Sequence, residues 1–105
     1  MFILDDNCIF IDVDETLLIP PSPELFVPTE PNLKLVEKIK EWSKAGKSIV
    51  VWTSNPNGTS HCLKAIDKCR INPYIKAVMR KPSIIVDDDH LEYYSIIDPI
   101  TLEYK

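Results

Sequence analysis

Residues 8–18 of the chain read CIFIDVDETLL. An apolar, β-branched run is followed at once by three acidic residues, Asp12, Asp14 and Glu15. A short, continuous apolar run is typical of a strand buried on both faces of a parallel sheet, so we predict a strand over Cys8–Ile11. Carboxylates this close together repel one another unless a cation or a shared proton offsets their charge. The stretch therefore predicts a buried strand that ends in a functional site.

The remaining apolar runs alternate with helical patterns along the chain. Further strands are predicted at Ser48–Trp52, Ala77–Met79, Ser83–Val86 and Tyr93–Asp98, the last as an edge strand, and helices from Leu33 towards Gly46 and over Ser60–Arg70. This alternation favours an α/β fold with a mainly parallel sheet of about five strands. The binding crevice of such a sheet lies outside the carboxyl ends of its strands.

Helical spacing also predicts which residues face the core. Asn32 is a suitable N-cap for the first helix, and Gly46 is a suitable stop signal after it. The inner faces are expected to contain Leu33, Val36 and Ile39 on the first helix and Cys62, Leu63, Ile66 and Cys69 on the second.

Residues 19–31, IPPSPELFVPTEP, contain five of the nine prolines. Proline lacks a backbone donor and is excluded from helix interiors and central strands. We therefore predict a stiff loop or flap here. Its apolar side chains, Leu25 and Phe26, are expected to hold the flap down, and contact with a substrate is the alternative role for them.

The composition predicts a single domain over residues 1–105. Of the 105 residues, 45% are hydrophobic and 27% charged, and the net charge is −4. The negative balance argues against wholesale wrapping by nucleic acid, because the basic excess that releases counterions is missing. No apolar run approaches the ~20 residues that span a bilayer, and the chain opens with no basic leader, so no membrane association is expected.

Three cysteines are present, an odd number without a CxxC pair. This count supports neither a disulfide framework nor a zinc site. Reduced thiols in or near the core, and a cytoplasmic protein, are the natural expectation.

An unusual polar cluster follows each of three predicted strands. The clusters are Asp12 with Asp14, Thr53 with Ser54, and Asp87 with Asp88. An isolated DxDxT fits an acidic turn before a helix equally well, but a second acidic pair after another apolar strand favours a metal site. Ligands that are all oxygens select a hard cation such as Mg²⁺.

Three stretches resemble the motifs of the haloacid dehalogenase-like (HAD) phosphohydrolases, in the order in which that family has them. DVDETL resembles the DxDx[TV] motif, SIVVWTSN resembles the strand that ends in Thr or Ser, and RKPSIIVDD is similar to KPxxxxxDD. Glu15 stands where many members have glycine. The resemblance implies a three-layer, Rossmann-like fold, here without a cap domain, because the spacing between motifs leaves room only for single helices and strands.

The resemblance also implies a role for each matching residue. Asp12 would attack phosphorus to form an aspartyl-phosphate, Asp14 would be the general acid/base, and Lys81 would offset the negative charge. Phosphate oxygens would be bound by Thr53 or Ser54, Asn55 and Lys81, and Mg²⁺ by Asp12, the backbone carbonyl of Asp14, and Asp87 or Asp88. The chain is thus expected to be an Mg²⁺-dependent phosphatase.

By the logic of that family, an uncapped site implies a bulky or macromolecular substrate, such as a nucleic-acid 3′-phosphate, or else an oligomer partner that covers the site. Asn57 and His61 are further candidate substrate contacts, although a surface position on the first turn of the helix is the expectation for His61. Lys64, Lys68 and Arg70 form a basic strip that could steer a polyanion, or an ordinary solvated helix face.

Two other classes of protein share some of these features. A catalytically idle HAD-like module, serving in binding or assembly, would keep the same motifs. A response-regulator receiver also combines an acidic pair, a Thr and a Lys, but there the Lys-Pro pair follows the last strand, whereas Lys81 and Pro82 precede a predicted strand.

Overall fold

A parallel three-stranded sheet forms the centre of the fold in the computed structural model, which describes residues 1, 3–4, 6–88 and 94–105. In chain order the elements are β1 (Cys8–Asp12), β2 (Leu18–Ile19), β3 (Glu30–Pro31), α1 (Leu33–Lys44), β4 (Ser48–Thr53), α2 (Thr59–Cys69), a 3-10 turn (Asn72–Tyr74) and β5 (Ala77–Arg80). The spatial order is β1-β4-β5, and β4 pairs in parallel with both neighbours. The predicted α/β class is confirmed.

The middle strand β4 is the most deeply buried element of the sheet. Ile49, Val50 and Val51 are fully buried, as expected of a central parallel strand. Its register sets Asp12 opposite Trp52 on one side and Thr53 opposite Arg80 on the other. The carboxyl ends of all three strands therefore lie side by side at one edge of the sheet.

Both helices pack on the same face of this sheet. Alternate strand residues such as Ile11, Ile49 and Val51 belong to one hydrophobic core with the buried residues of α1 and α2. Successive right-handed crossovers that move in one direction across a sheet place their helices on one side. The opposite face carries Phe10 and Trp52, whose ring centroids lie 4.7 Å apart. The described residues thus form two layers, and the expected third layer is not seen among them.

Helix α1 begins where the sequence predicts, at the Asn32 cap. The Asn32 side-chain oxygen accepts a hydrogen bond from the backbone N–H of Leu35 at 3.3 Å, and Gly46 follows the helix with φ +89°. Ile39 and Val36 are buried, but Leu33 is exposed, which corrects its predicted place on the inner face. At about 100° per residue, Leu33 is about 120° around the axis from Ile39.

Helix α2 buries Cys62, Ala65, Ile66 and Cys69. Leu63 is exposed, contrary to prediction, because one step along a helix turns it about 100° away from Cys62. Burial raises the pKa of the Cys62 thiol, with a smaller contribution from the Asp12 charge, and raises the pKa of Cys69 to about 11. Both thiols therefore stay protonated at neutral pH, and a protonated thiol is a poor nucleophile.

The proline-rich segment forms the predicted flap, closed at its base by a two-stranded antiparallel pairing. Leu18 pairs with Pro31 and Ile19 pairs with Glu30. The apolar side chain of Phe26 at the tip is 81% exposed. The prediction that Leu25 and Phe26 hold the flap down is therefore wrong, since both project into solvent.

The strand predicted over Ser83–Val86 does not form. Ile84 and Val86 are strongly exposed, and the segment has no regular structure. The physical reason is the short connection after β5. A parallel neighbour must return to the amino end of the sheet, which takes about a dozen residues or more, whereas only residues 81–82 intervene.

The edge strand predicted over Tyr93–Asp98 does not form in its described part either. Tyr93 lies outside the described residues, and the rest of the segment makes a single isolated bridge, between Ile97 and Tyr104. Within the part of the chain that the structure describes, no helix has the length and apolar character needed to cross a membrane.

Asn32 connects three separate parts of the fold. Besides capping α1, its side-chain nitrogen donates to the carbonyls of Thr16 and Pro99, both at 2.9 Å. The residue is only 4% exposed. Replacing it would leave buried backbone groups without partners, which is costly.

We expect Asn32→Ala to lower the free energy of unfolding by about 2–4 kcal/mol, from the lost cap and the two unpaired carbonyls. Asn32→Asp is the matched variant, because it keeps the cap acceptor but removes both donors. Urea denaturation should show Asn32→Asp to be destabilised as well. Wild-type stability for Asn32→Asp would show that the cap alone matters.

Candidate active site

The ends of β1, β4 and β5 bring three predicted site residues to one edge of the sheet. Asp12 is the last residue of β1, Thr53 the last of β4, and Lys81 directly follows β5. The backbone N–H of Lys81 donates to the carbonyl of Thr53 at 2.8 Å. This bond extends the pairing of β4 and β5 by one residue and fixes where the Lys81 side chain begins.

Lys81 and Asp12 form an ion pair across this edge. Lys81 Nζ lies 3.4 Å from Asp12 Oδ1 and 5.6 Å from the centroid of the Trp52 ring. Both partners of the ion pair are about one-third exposed. Such a pair adds little stability, but it sets a positive charge beside a partly exposed carboxylate.

Asp14 lies on a tight turn rather than on a strand. The backbone N–H of Leu17 donates to the carbonyl of Asp12, that of Leu18 donates to Val13, and Val13 is fully buried. Glu15 occupies the left-handed region, with φ +58°, which explains why glycine suits this position in similar motifs. The side chain of Glu15 is exposed.

His61 contacts Asp14, a pairing that the sequence did not reveal. His61 Nε2 lies 3.0 Å from Asp14 Oδ1 and 3.1 Å from Oδ2, and the His61 side chain is only 22% exposed. His61 lies on the first turn of α2, as expected, but its side chain packs partly buried against Asp14 instead of projecting into solvent. The one available signal was its place in the first turn of a helix that starts at the carboxyl edge of the sheet.

The loop after β4 is held in shape by its own side chains. The hydroxyl oxygen of the buried Thr53 accepts from the N–H of Asn55 at 3.0 Å, and Asn55 Oδ1 accepts from the N–H of Asn57 at 2.9 Å. Ser54 is exposed beside them. The loop thus begins with Thr53, Ser54 and Asn55, next to the backbone of Lys81.

Arg80 fastens the same loop from the side of β5. Its guanidinium donates to the carbonyls of Asn55 at 3.2 Å and Pro56 at 2.9 Å. It also lies so close to Gly58 that a Cβ there would be 2.8 Å from the nearest Arg80 nitrogen. Glycine suits this position because its φ of +59° and ψ of −135° are open to few other residues, and a side chain there would have to displace the Arg80 guanidinium.

Asp87 and Asp88 are not brought into this cluster. Both are exposed on the segment that forms no strand. Across residues 1, 3–4, 6–88 and 94–105, no group of three or more acidic, histidine or cysteine side chains is arranged to hold a metal ion. Asp89, the neighbouring acid, lies outside the described residues. The described donors therefore do not by themselves complete an Mg²⁺ site.

Comparison with known proteins adds no identification. No protein-family model matches the sequence, and a search of curated proteins finds no match either. The interpretation of the site therefore depends on the chemistry of its own residues.

We expect Gly58→Ala to lower the free energy of unfolding by about 1–3 kcal/mol more than Gly46→Ala, because the Gly58 backbone, at φ +59° and ψ −135°, strains any other residue and because its Cβ would displace the Arg80 guanidinium. Both glycines have positive φ, but a Cβ on Gly46 meets nothing within 4 Å. Urea denaturation of the two variants measures the difference. Adding Arg80→Ala should relieve part of the loss of stability caused by Gly58→Ala. If it relieves none, the contact between Arg80 and position 58 does not contribute to that loss.

Proposed function

We propose that this chain is a phosphomonoester hydrolase of the HAD-like type, with Asp12 as the nucleophile. The observation that carries the proposal is the ion pair between Lys81 Nζ and Asp12 Oδ1 at 3.4 Å, at the carboxyl edge of a parallel sheet. A carboxylate attacks a phosphate dianion only where positive charge offsets the repulsion. Lys81 provides such a charge, and the partial exposure of Asp12 leaves room for a substrate.

Hydrolysis of the phosphomonoester would take two steps. An Asp12 oxygen bonds to phosphorus as the bond to the leaving oxygen breaks, and Asp14 gives that oxygen its proton. Water then attacks phosphorus, its proton passes to Asp14, and the bond from phosphorus to Asp12 breaks to release phosphate. Lys81 would hold positive charge beside the phosphoryl oxygens in both steps, and Thr53 or Ser54, with Asn55, would bind them.

Mg²⁺ belongs to the proposal as the expected cofactor. Asp12 and the backbone carbonyl of Asp14 would supply protein ligands, and Asp87 or Asp88 a further carboxylate. Bound Mg²⁺ usually completes its shell with waters and substrate phosphate oxygens, and it would offset negative charge on the phosphoryl group. The expected three-layer, HAD-like fold without a cap domain is part of the same proposal, as is a cytoplasmic location.

The alternative function is a catalytically idle HAD-like binding or assembly module. One observation favours it: Asp87 and Asp88 are exposed and form no metal group with Asp12 in the described part of the chain. An idle module would keep the fold while the chemistry was lost.

Phosphate release from para-nitrophenyl phosphate, with and without added Mg²⁺, separates these two functions. We expect Asp12→Asn to remove activity, and Asp14→Asn to lower it by about 10²–10⁴-fold on an alkyl phosphate, the usual contribution of a general acid. Glu15→Gln, a change to the exposed acid that follows Asp14, is the control and should stay near wild type. No turnover of any phosphomonoester by the folded wild-type protein would favour the binding module.

The substrate class is supported by the charge on α2. Three side chains on α2 follow one another at helical spacing: His61, Lys64 and Lys68. Together they form a basic strip that leads away from Asp14 along the helix. Lys64 and Lys68 are exposed. The phosphates that precede a 3′-phosphate on a nucleic-acid strand would match such a strip.

We expect Lys64→Gln/Lys68→Gln to raise KM for a 3′-phosphorylated oligonucleotide and to flatten its dependence on salt, because about two phosphate contacts are lost. The KM for para-nitrophenyl phosphate should not change, since that molecule is too short to reach the strip. Lys44→Gln at the end of α1 is the matched control. An unchanged salt dependence would rule out the strip as a nucleic-acid contact.

A further inference from the structure

His61 and Asp14 form a contact between two separate elements of the fold. The His61 ring nitrogen Nε2 is nearly equidistant from the two carboxylate oxygens, at 3.0 and 3.1 Å. Among the described residues, His61 is the side-chain hydrogen-bond partner found for the Asp14 carboxylate. In the tautomer that carries its proton on Nε2, the N–H points between the two oxygens and fixes the rotation of the carboxylate.

The imidazole is held from a rigid position. The next residue, Cys62, is fully buried, and its Sγ lies 3.9 Å from the carbonyl of Met79 on β5. The helix start is fastened further by the Arg80 guanidinium, which binds the preceding loop. His61 is therefore placed by the docking of α2 on the sheet, independently of the turn that carries Asp14.

Asp14 needs such a support more than Asp12 does. Asp12 is paired within the sheet, whereas Asp14 follows the end of β1 on a turn, and its side chain is 40% exposed. A mobile carboxylate delivers a proton poorly, because a misplacement of about 1 Å can cost about 10²-fold in rate. The sheet holds the nucleophile, and a second element is required to hold the acid.

We propose that His61 is a positioning residue that orients the Asp14 carboxylate towards the leaving oxygen of the substrate. This inference rests on the proposed phosphatase function. His61 acts through Asp14 and not on the substrate, because its Nε2 atom already contacts the Asp14 carboxylate. The partly exposed pair contributes little to stability, so its effect belongs to the chemistry.

The nature of the leaving group provides a selective test. A para-nitrophenolate leaves phosphorus without a proton, whereas an alkoxide needs one from Asp14. We expect His61→Leu to lower kcat/KM for glycerol 3-phosphate by about 10–100-fold, and for para-nitrophenyl phosphate by less than about threefold. A loss caused by general damage to the fold would lower both values equally.

His61→Gln is the conservative variant, since its side-chain amide can donate from nearly the same place as Nε2. It should recover kcat/KM for glycerol 3-phosphate to within about fivefold of wild type. Asp67→Asn, an exposed change on the same helix, is the matched control and should behave as wild type. Urea denaturation of each variant confirms that the compared proteins are folded.

A long-range ¹⁵N–¹H spectrum of the histidine ring tests the contact without any turnover. We expect a proton on Nε2 of His61 in the wild type, and a shift of that signal in Asp14→Ala. If the wild type hydrolyses phosphates but His61→Leu lowers both substrates equally, or neither, the positioning role is wrong while the phosphatase function stands. If the wild type hydrolyses nothing, the phosphatase function and the positioning role both fail, even where the spectrum shows the contact.

Discussion

The parallel pairing of β4 with β1 and β5 is the constraint on which the rest of the structure depends. A strand buried along its length by two parallel neighbours fixes the direction of both, so three strand ends and their loops must meet at one edge of the sheet. Asp12, Thr53 and Lys81 are far apart in sequence and become neighbours for this reason alone. The register then decides which side chains can touch, and it sets Lys81 beside Asp12.

Two carboxylates at this edge each have a nitrogen partner from another element. Lys81 serves Asp12 from the end of β5, and His61 serves Asp14 from the first turn of α2. These partners offset the repulsion that makes the sequence DVDE unfavourable in isolation. Asp87 and Asp88 lie instead on an exposed segment.

Local signals in the sequence predicted much of this fold. The cap at Asn32, the buried middle strand and the flap depend on short-range patterns, and all three are found. The wrong strand at Ser83–Val86 has the same apolar pattern as the correct ones. Its failure lies in the chain connection, because two residues cannot carry the chain back across the sheet, and the pattern itself holds no information about partners.

The contacts within the candidate site were harder to predict, because they also join distant parts of the chain. Asp12, Asp14 and Lys81 could be identified because they stand in short motifs, and the structure brings Lys81 to Asp12. The contact between His61 and Asp14 joins residues 47 positions apart. The hydrogen bonds from Arg80 to the loop after β4 join residues 24 and 25 positions apart. Neither has a local pattern, since helical or strand spacing describes one element at a time.

The two proposed catalytic carboxylates differ in how firmly the backbone holds them. Asp12 lies within the hydrogen-bonded sheet, as a nucleophile should, because its attack requires one fixed line to phosphorus. Asp14 lies on a turn beyond the sheet, where it can reach first the leaving oxygen and then the water. That freedom is useful only if the carboxylate returns to one orientation for each proton transfer. In the proposed mechanism, the imidazole on α2 provides that orientation, so the docking of α2 on the sheet links the stability of the fold to the chemistry of the site.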